Sequence, residues 1–236
     1  MGDLRGRLAS MYEAMLSHFG PQHWWPARTH LAPHDRKLEI CLGAILTQNT
    51  NWGNVVKALD RLDQASAMRV DVLANMPPAH LAELIRPAGY FNVKARRLKN
   101  FISHVTDRHG GCVESLLALP KARLREQLLG INGIGPETAD SMILYAAGKC
   151  TFVVDAYTRR ICLRHGLVGP GDGYEAVKSF FESHVPPRAG LYNDYHAQLV
   201  AVGKHFCRPT ARCAGCPLER FDHNASLPPL PPRSTA

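Results

Sequence analysis

Long apolar runs are missing from this 236-residue chain. No stretch reaches the roughly eighteen consecutive apolar residues that a membrane-spanning helix needs, so no span is expected. The opening MGDLRGRLASMYEAML has no charged segment followed by a long apolar one, and no signal peptide is read there. Alternating polar and apolar residues are equally scarce: TFVV at 151–154 is too short and isolated to found a sheet. There is no internal repeat. Cysteines number seven, an odd count, unevenly placed, which excludes a secreted disulfide framework and points to a cytoplasmic protein. Cys41, Cys112, Cys150 and Cys162 stand alone among apolar neighbours, where a buried reduced thiol is the ordinary state.

What the chain does have is positive charge and helical periodicity. Lys and Arg total 28 against 20 Asp and Glu, a formal charge of +8, which suits a polyanion such as nucleic acid. Leu38, Cys41, Leu42, Ile45 and Leu46 share one helix face within 36–48. Further helices are expected over 53–63, 79–86, 92–109, 121–129, 136–147, 156–165, 174–184 and 190–206, and the fold class is all-α. The helix over 92–109 is basic, with Leu98, Phe101, Ile102 and Val105 inward. The Pro-rich end SLPPLPPRSTA is expected to be disordered.

Between two of these helices lies GINGIGPETAD, with Gly130, Gly133 and Gly135 inside six residues. Glycines there let the backbone turn tightly and present N–H groups at a helix N-terminus, where an anion is favoured. In a basic protein a DNA phosphate fits that turn; a plain helical corner fits the spacing too. Asp155 precedes the helix over 156–165 and reads as an N-cap.

The segments LLGINGIGPETADSMIL and FVVDAYTRRICLRHG together resemble the helix-hairpin-helix signature of the endonuclease III superfamily of DNA glycosylases. The likeness extends to LGAILTQNT (42–50), LIRPAGYFNVKARRL (84–98) and the C-terminal cysteines. It implies two helical domains, 29–149 and 1–28 with 150–222, with DNA and the base pocket between them, and a disordered 223–236. It also implies a monomer acting on double-stranded DNA that carries a damaged base, close to the chromosome.

By the same resemblance Asp155 is the catalytic carboxylate, Gln48 fills the gap left by a flipped base, and Gly133, Gly135 and Thr138 contact DNA. Bifunctional members carry a lysine where this chain has Glu137. Without that amine no Schiff base can form, so a monofunctional, water-using glycosylase is expected. Lys149 or Lys204 could substitute, but no spacing supports either. WWP at Trp24, Trp25 and Pro26 would wall the base pocket, and a positively charged methylated purine would stack there by cation–π attraction. Together with the acidic Glu137, this resembles the 3-methyladenine DNA glycosylase branch. The alternatives are an endonuclease III-like enzyme with lyase activity on oxidised pyrimidines or mismatched bases, and a non-catalytic DNA-binding protein.

Cys207, Cys213 and Cys216 cluster in CRPTARCAGCPLERFD, with Asp222 where those relatives have a fourth cysteine and a first gap one residue shorter than theirs. A four-iron cluster with Asp222 as the odd ligand is the expectation. A three-iron cluster on the cysteines, or zinc with His205 or His223, are the competitors. Arg208, Arg212 and Arg220 on this loop would face the DNA backbone.

Overall fold

A computed structural model describes residues 3–26 and 33–227. In chain order the helices are α1 (Leu4–Phe19), α2 (Pro33–Leu46), α3 (Trp52–Gln64), α4 (Val70–Asn75), α5 (Pro78–Leu84), α6 (Phe91–His109), α7 (Val113–Ala118), α8 (Lys121–Leu129), α9 (Pro136–Ser141), α10 (Ala156–Arg164), α11 (Tyr174–His184) and α12 (Ala189–His205). No strand occurs among the described residues. The chain divides into two compact units, Met1–Trp24 with Cys150–Ala236, and Trp25–Lys149. The domain limit expected at residue 29 falls outside the described residues, as do residues 228–236 of the Pro-rich end.

Three helices were not expected. α4 and α7 hold six residues each, too few for a helical period to register. α1 is longer, and its buried Leu8, Met11 and Met15 have helical spacing, with Asp3 capping the Arg5 N–H. The helix expected over 136–147 changes type halfway: after α9 the turns widen into a π-helix, Met142–Ala146, with Ala147 N–H donating to the Met142 carbonyl. Met142, Ile143 and Leu144 are thereby all buried.

In the unit formed by Trp25–Lys149, helix α6 is the organiser. Its leucine and phenylalanine face is fully buried, as the periodicity predicts. Its lysines are the surprise, because two of them point inward. Lys94 is fully buried and donates to the carbonyls of Leu46 and Ala88, each at 2.8 Å. Lys99 donates to the carbonyls of Leu73, Ala74 and Met76. These ammonium groups therefore close the C-terminal ends of α2 and α4, where carbonyls lack helical partners. A second buried charge joins α8 to α9: Arg125 grips Asp140, which has no exposed surface, through two bonds of 2.9 and 3.2 Å.

In the other unit α1, α10, α11 and α12 surround an aromatic centre. Phe152 and Phe181 stack with centroids 4.0 Å apart, and Tyr192 and Tyr195 meet Phe152 edge-on. The 151–154 segment is neither helix nor strand; Phe152 N–H donates to the Glu182 carboxylate. This buried connector delivers Asp155 to the start of α10. Helices α10 and α12 approach so closely that a Cβ at Gly203 would collide with the Tyr157 ring.

Residues 223–227, expected within a disordered tail, are fastened. Asn224 N–H donates to the Arg164 carbonyl at 2.7 Å, and Arg164 Nε donates to the Leu227 carbonyl at 3.2 Å.

Candidate functional site

The glycine hairpin is built from the end of α8 and the start of α9. Ile131 and Ile134 plug its turn into the core, and Pro136 takes the first helical position of α9. Its two central glycines have different causes. Gly133 has a φ of +95°, in the left-handed region, and a Cβ there would strike the Arg97 side chain. Gly135 has an ordinary φ of −93° and open space where its Cβ would lie. Among the described residues nothing would meet a side chain at 135.

Gln48 lies against this hairpin. Its amide nitrogen donates to the Gly133 carbonyl at 3.0 Å and to Thr138 Oγ1 at 2.9 Å, and its amide oxygen accepts from Arg97. Asn100 adds a bond to the Asn132 carbonyl at 3.0 Å. Thr138, expected on DNA, is buried and serves as an acceptor for Gln48. Gln48, expected to enter a duplex, is bonded into the protein on both ends of its amide. Arg97 and Asn100 were missed because a basic helix offers many cations, and only the fold shows which reach the hairpin. Glu137 is exposed in the first turn of α9.

Asp155 caps α10: Oδ1 accepts the Thr158 N–H at 2.7 Å. Its other oxygen lies 3.8 Å from Nε2 of His196 on α12, and the two side chains are only 15% and 6% exposed. Burial pushes the His196 imidazole below its ordinary pKa while the Asp155 charge pulls the other way.

Trp24 and Trp25 fall in different units, and each has its own surroundings. Trp25 packs edge-on to Trp52, with centroids at 4.8 Å, and lies close against Gly43 and Tyr145. Trp24 carries the Lys204 ammonium 5.7 Å from its ring centroid. Pro26 is exposed.

Cys207, Cys213 and Cys216 line one small cavity, together with Glu219 and His223. Asp222 is not among its lining residues; its side chain is exposed, and its carbonyl accepts from Arg7 at 3.0 Å and meets His165 Nδ1 at 3.1 Å. Among the described residues no three His, Cys, Asp or Glu side chains stand ready to hold a metal ion. Burial raises the Cys216 thiol to about 11. Helix α10 holds the loop: Arg160 donates to the Cys207 carbonyl at 2.7 Å, and Arg164 to the carbonyls of Arg208 and Pro209, each at 2.6 Å. Of the four isolated cysteines, Cys112 is exposed, contrary to expectation, because it precedes α7 rather than lying inside a helix.

The description "HhH-GPD superfamily base excision DNA repair protein" matches residues 42–187, which span the hairpin and Asp155. The chain belongs to the HhH-GPD superfamily. A protein of Methanocaldococcus jannaschii, provisionally named as a DNA repair glycosylase, is 41% identical over 213 residues, 89% of this chain and 93% of its own length. Endonuclease III of Sulfolobus acidocaldarius is 27% identical over 168 residues, covering 71% of this chain and 72% of that one. Among solved structures, the Helicobacter pylori 3-methyladenine DNA glycosylase MagIII bound to 1,N6-ethenoadenine has a TM-score of 0.70 at 29% identity, over 86% of this chain and 97% of that one. An endonuclease III–DNA complex has a TM-score of 0.74 at 20% identity, over 92% and 94% respectively, which shows the shared fold. This HhH-GPD chain is accordingly a DNA N-glycosylase of base excision repair.

One more feature of this HhH-GPD protein escaped the sequence. Tyr90, at the N-cap of α6, is 72% exposed and has a φ of +46°, which a bulky residue adopts only at a cost. Gly133→Ala is expected to unfold at lower temperature than the unaltered protein, whereas Gly135→Ala should melt with it. Thermal unfolding of both, followed by circular dichroism, checks this; a Gly135→Ala loss as large as that of Gly133→Ala would contradict it.

Proposed function

We propose that this glycosylase is monofunctional: water, under the influence of Asp155, breaks the N-glycosidic bond of a damaged purine in double-stranded DNA. The observation that carries the reading is the Asp155 carboxylate, anchored at a helix N-terminus and largely buried, with Glu137 where lyases of this superfamily would have their amine. A fixed carboxylate stabilises the positive charge that develops on the sugar as the base departs. It can also orient the attacking water, whose proton then leaves with the departing base or to solvent.

A lyase would need a reactive amine, and Lys94 has one property of such a group. Burial, with help from Arg97, lowers its ammonium to about 8. Both of its recorded bonds, however, run to backbone carbonyls inside the fold, so it acts as a helix closure.

The hairpin is proposed to take a DNA phosphate. Gly135 supports this, since its bare backbone at the start of α9 leaves room for a close approach that the protein itself does not use. Gln48 and Thr138 act from behind, holding the hairpin's shape. Exposed Tyr90 is proposed as a stacking side chain at the duplex. The cation–π argument for a charged methylpurine weakens at Trp24, because Lys204 already lies over that ring. The purine reading rests instead on the likeness to MagIII, a 3-methyladenine glycosylase seen with a modified adenine.

For the cysteine loop, three thiols on one cavity suit the soft iron of an iron–sulfur cluster. Cys207, Cys213 and Cys216 would hold it, with His223 or Glu219, rather than Asp222, available as the remaining side-chain donor. Such a cluster would supply a structural tie within the loop.

Duplexes each carrying one lesion, among them 1,N6-ethenoadenine, test the activity, with dimethyl-sulfate-methylated DNA alongside. Base release that yields strand breaks only after hot alkali is expected, and Asp155→Asn should abolish release while binding persists. Breaks without alkali would make the protein a lyase, and no release of any base would make it a DNA-binding module. For the loop, anaerobically purified protein is expected to show brown iron–sulfur absorption and iron on elemental analysis. Stoichiometric zinc without iron would overturn that assignment.

A further inference from the structure

The Asp155 carboxylate has two oxygens, and a helix cap uses only one of them. Oδ1 takes the Thr158 N–H at 2.7 Å. Oδ2 faces Nε2 of His196 at 3.8 Å, across the seam between α10 and α12. That seam is among the tightest in its unit: Gly203 has no room for a Cβ beside Tyr157, and Arg160 donates to the Gly203 carbonyl at 3.4 Å. His196 is thus brought to the carboxylate by packed helices, about two turns before Gly203 on α12, and not by a mobile loop.

An imidazole buried beside a carboxylate would ordinarily be expected to charge and neutralise it. Here burial outweighs the carboxylate's pull, so the imidazole remains neutral and the Asp155 charge is left whole. A neutral ring offers a polar edge without cancelling the charge that the sugar cation needs.

We propose that His196 is a positioning residue, which holds the second oxygen of Asp155 in the orientation required for base release through a buried charge–dipole contact at 3.8 Å, longer than a hydrogen bond. The proposal rests on the reading of Asp155 as the catalytic carboxylate. A carboxylate free to rotate about its Cβ–Cγ bond would spend time misaligned, and misplacement of about 1 Å can cost about 100-fold in rate.

The experiment uses full-length protein and a duplex with a single 1,N6-ethenoadenine. Single-turnover base release, duplex dissociation constant and melting temperature are measured for the unaltered protein, H196L, H196Q, D155N and the H196L/D155N double variant. H196L is expected to slow release about tenfold or more with duplex affinity unchanged. H196Q, which retains a polar nitrogen near the same place, should recover most of the rate, and the double variant should be no slower than D155N alone. A folded H196L with the original rate would overturn the proposal. So would an H196Q that melts normally yet releases base as slowly as H196L, since the restored nitrogen would then have done nothing. If H196L fails to fold, H196Q still decides: a rate near that of the unaltered protein supports the role, and a tenfold loss overturns it. A D155N variant that still releases base would instead sink the underlying reading of Asp155.

Discussion

The acceptance of the Thr158 amide by Asp155 ties the proposed chemistry of this protein to its architecture. It fixes where α10 begins, and it anchors a largely buried carboxylate at the positive end of that helix. The rest of the unit follows from α10. Its first turn packs on α12 through Tyr157 and Gly203, and its middle and last residues, Arg160 and Arg164, reach into the cysteine loop. Asp155 and the loop are therefore held by one nine-residue helix, the first at its N-terminus and the second from its middle and last residues. A loss of order in the loop would remove the acceptors of two almost fully buried arginines, and unpaired buried cations are costly.

In the other unit the corresponding constraint is the disposal of charge along α6. A sequence rich in Lys and Arg suggests a surface for phosphates, but Lys94 and Lys99 spend their charge on helix carbonyls, and Arg97 and Asn100 spend their donors on Gln48 and the hairpin. The hairpin is consequently tied to α6 and Gln48 by side-chain bonds. In the proposed phosphate contact, such preorganisation would lower the entropy lost on binding. A positive net charge of +8 still favours DNA at long range, yet the fold assigns part of that charge to its own stability.

Much of this was legible from residue pattern. α8 is the most direct case: Pro120 and Gly130 punctuate it, and its bounds are those the sequence predicts. Asp155 as an N-cap was equally plain, because an acidic residue before a helical pattern has few other uses. What stayed hidden depends on contacts distant in sequence. His196 is 41 residues beyond Asp155, and no local signal links them. The surroundings of Trp24 and Trp25 were likewise hidden, because the chain passes from one unit to the other between them. The surroundings of Asp222 were hidden in a related way: spacing suggests a ligand, and only the fold shows that its carbonyl bonds Arg7 and His165 while its side chain is exposed.

The central claim is that no amine of the protein attacks the sugar. Borohydride trapping tests it most directly. The protein is incubated with a 1,N6-ethenoadenine duplex and sodium borohydride, and the products are resolved by denaturing electrophoresis and intact-mass spectrometry. Release of the base with an intact abasic strand and no protein–DNA adduct is the predicted result. A reduced covalent adduct, with its mass mapped to a lysine, would contradict it.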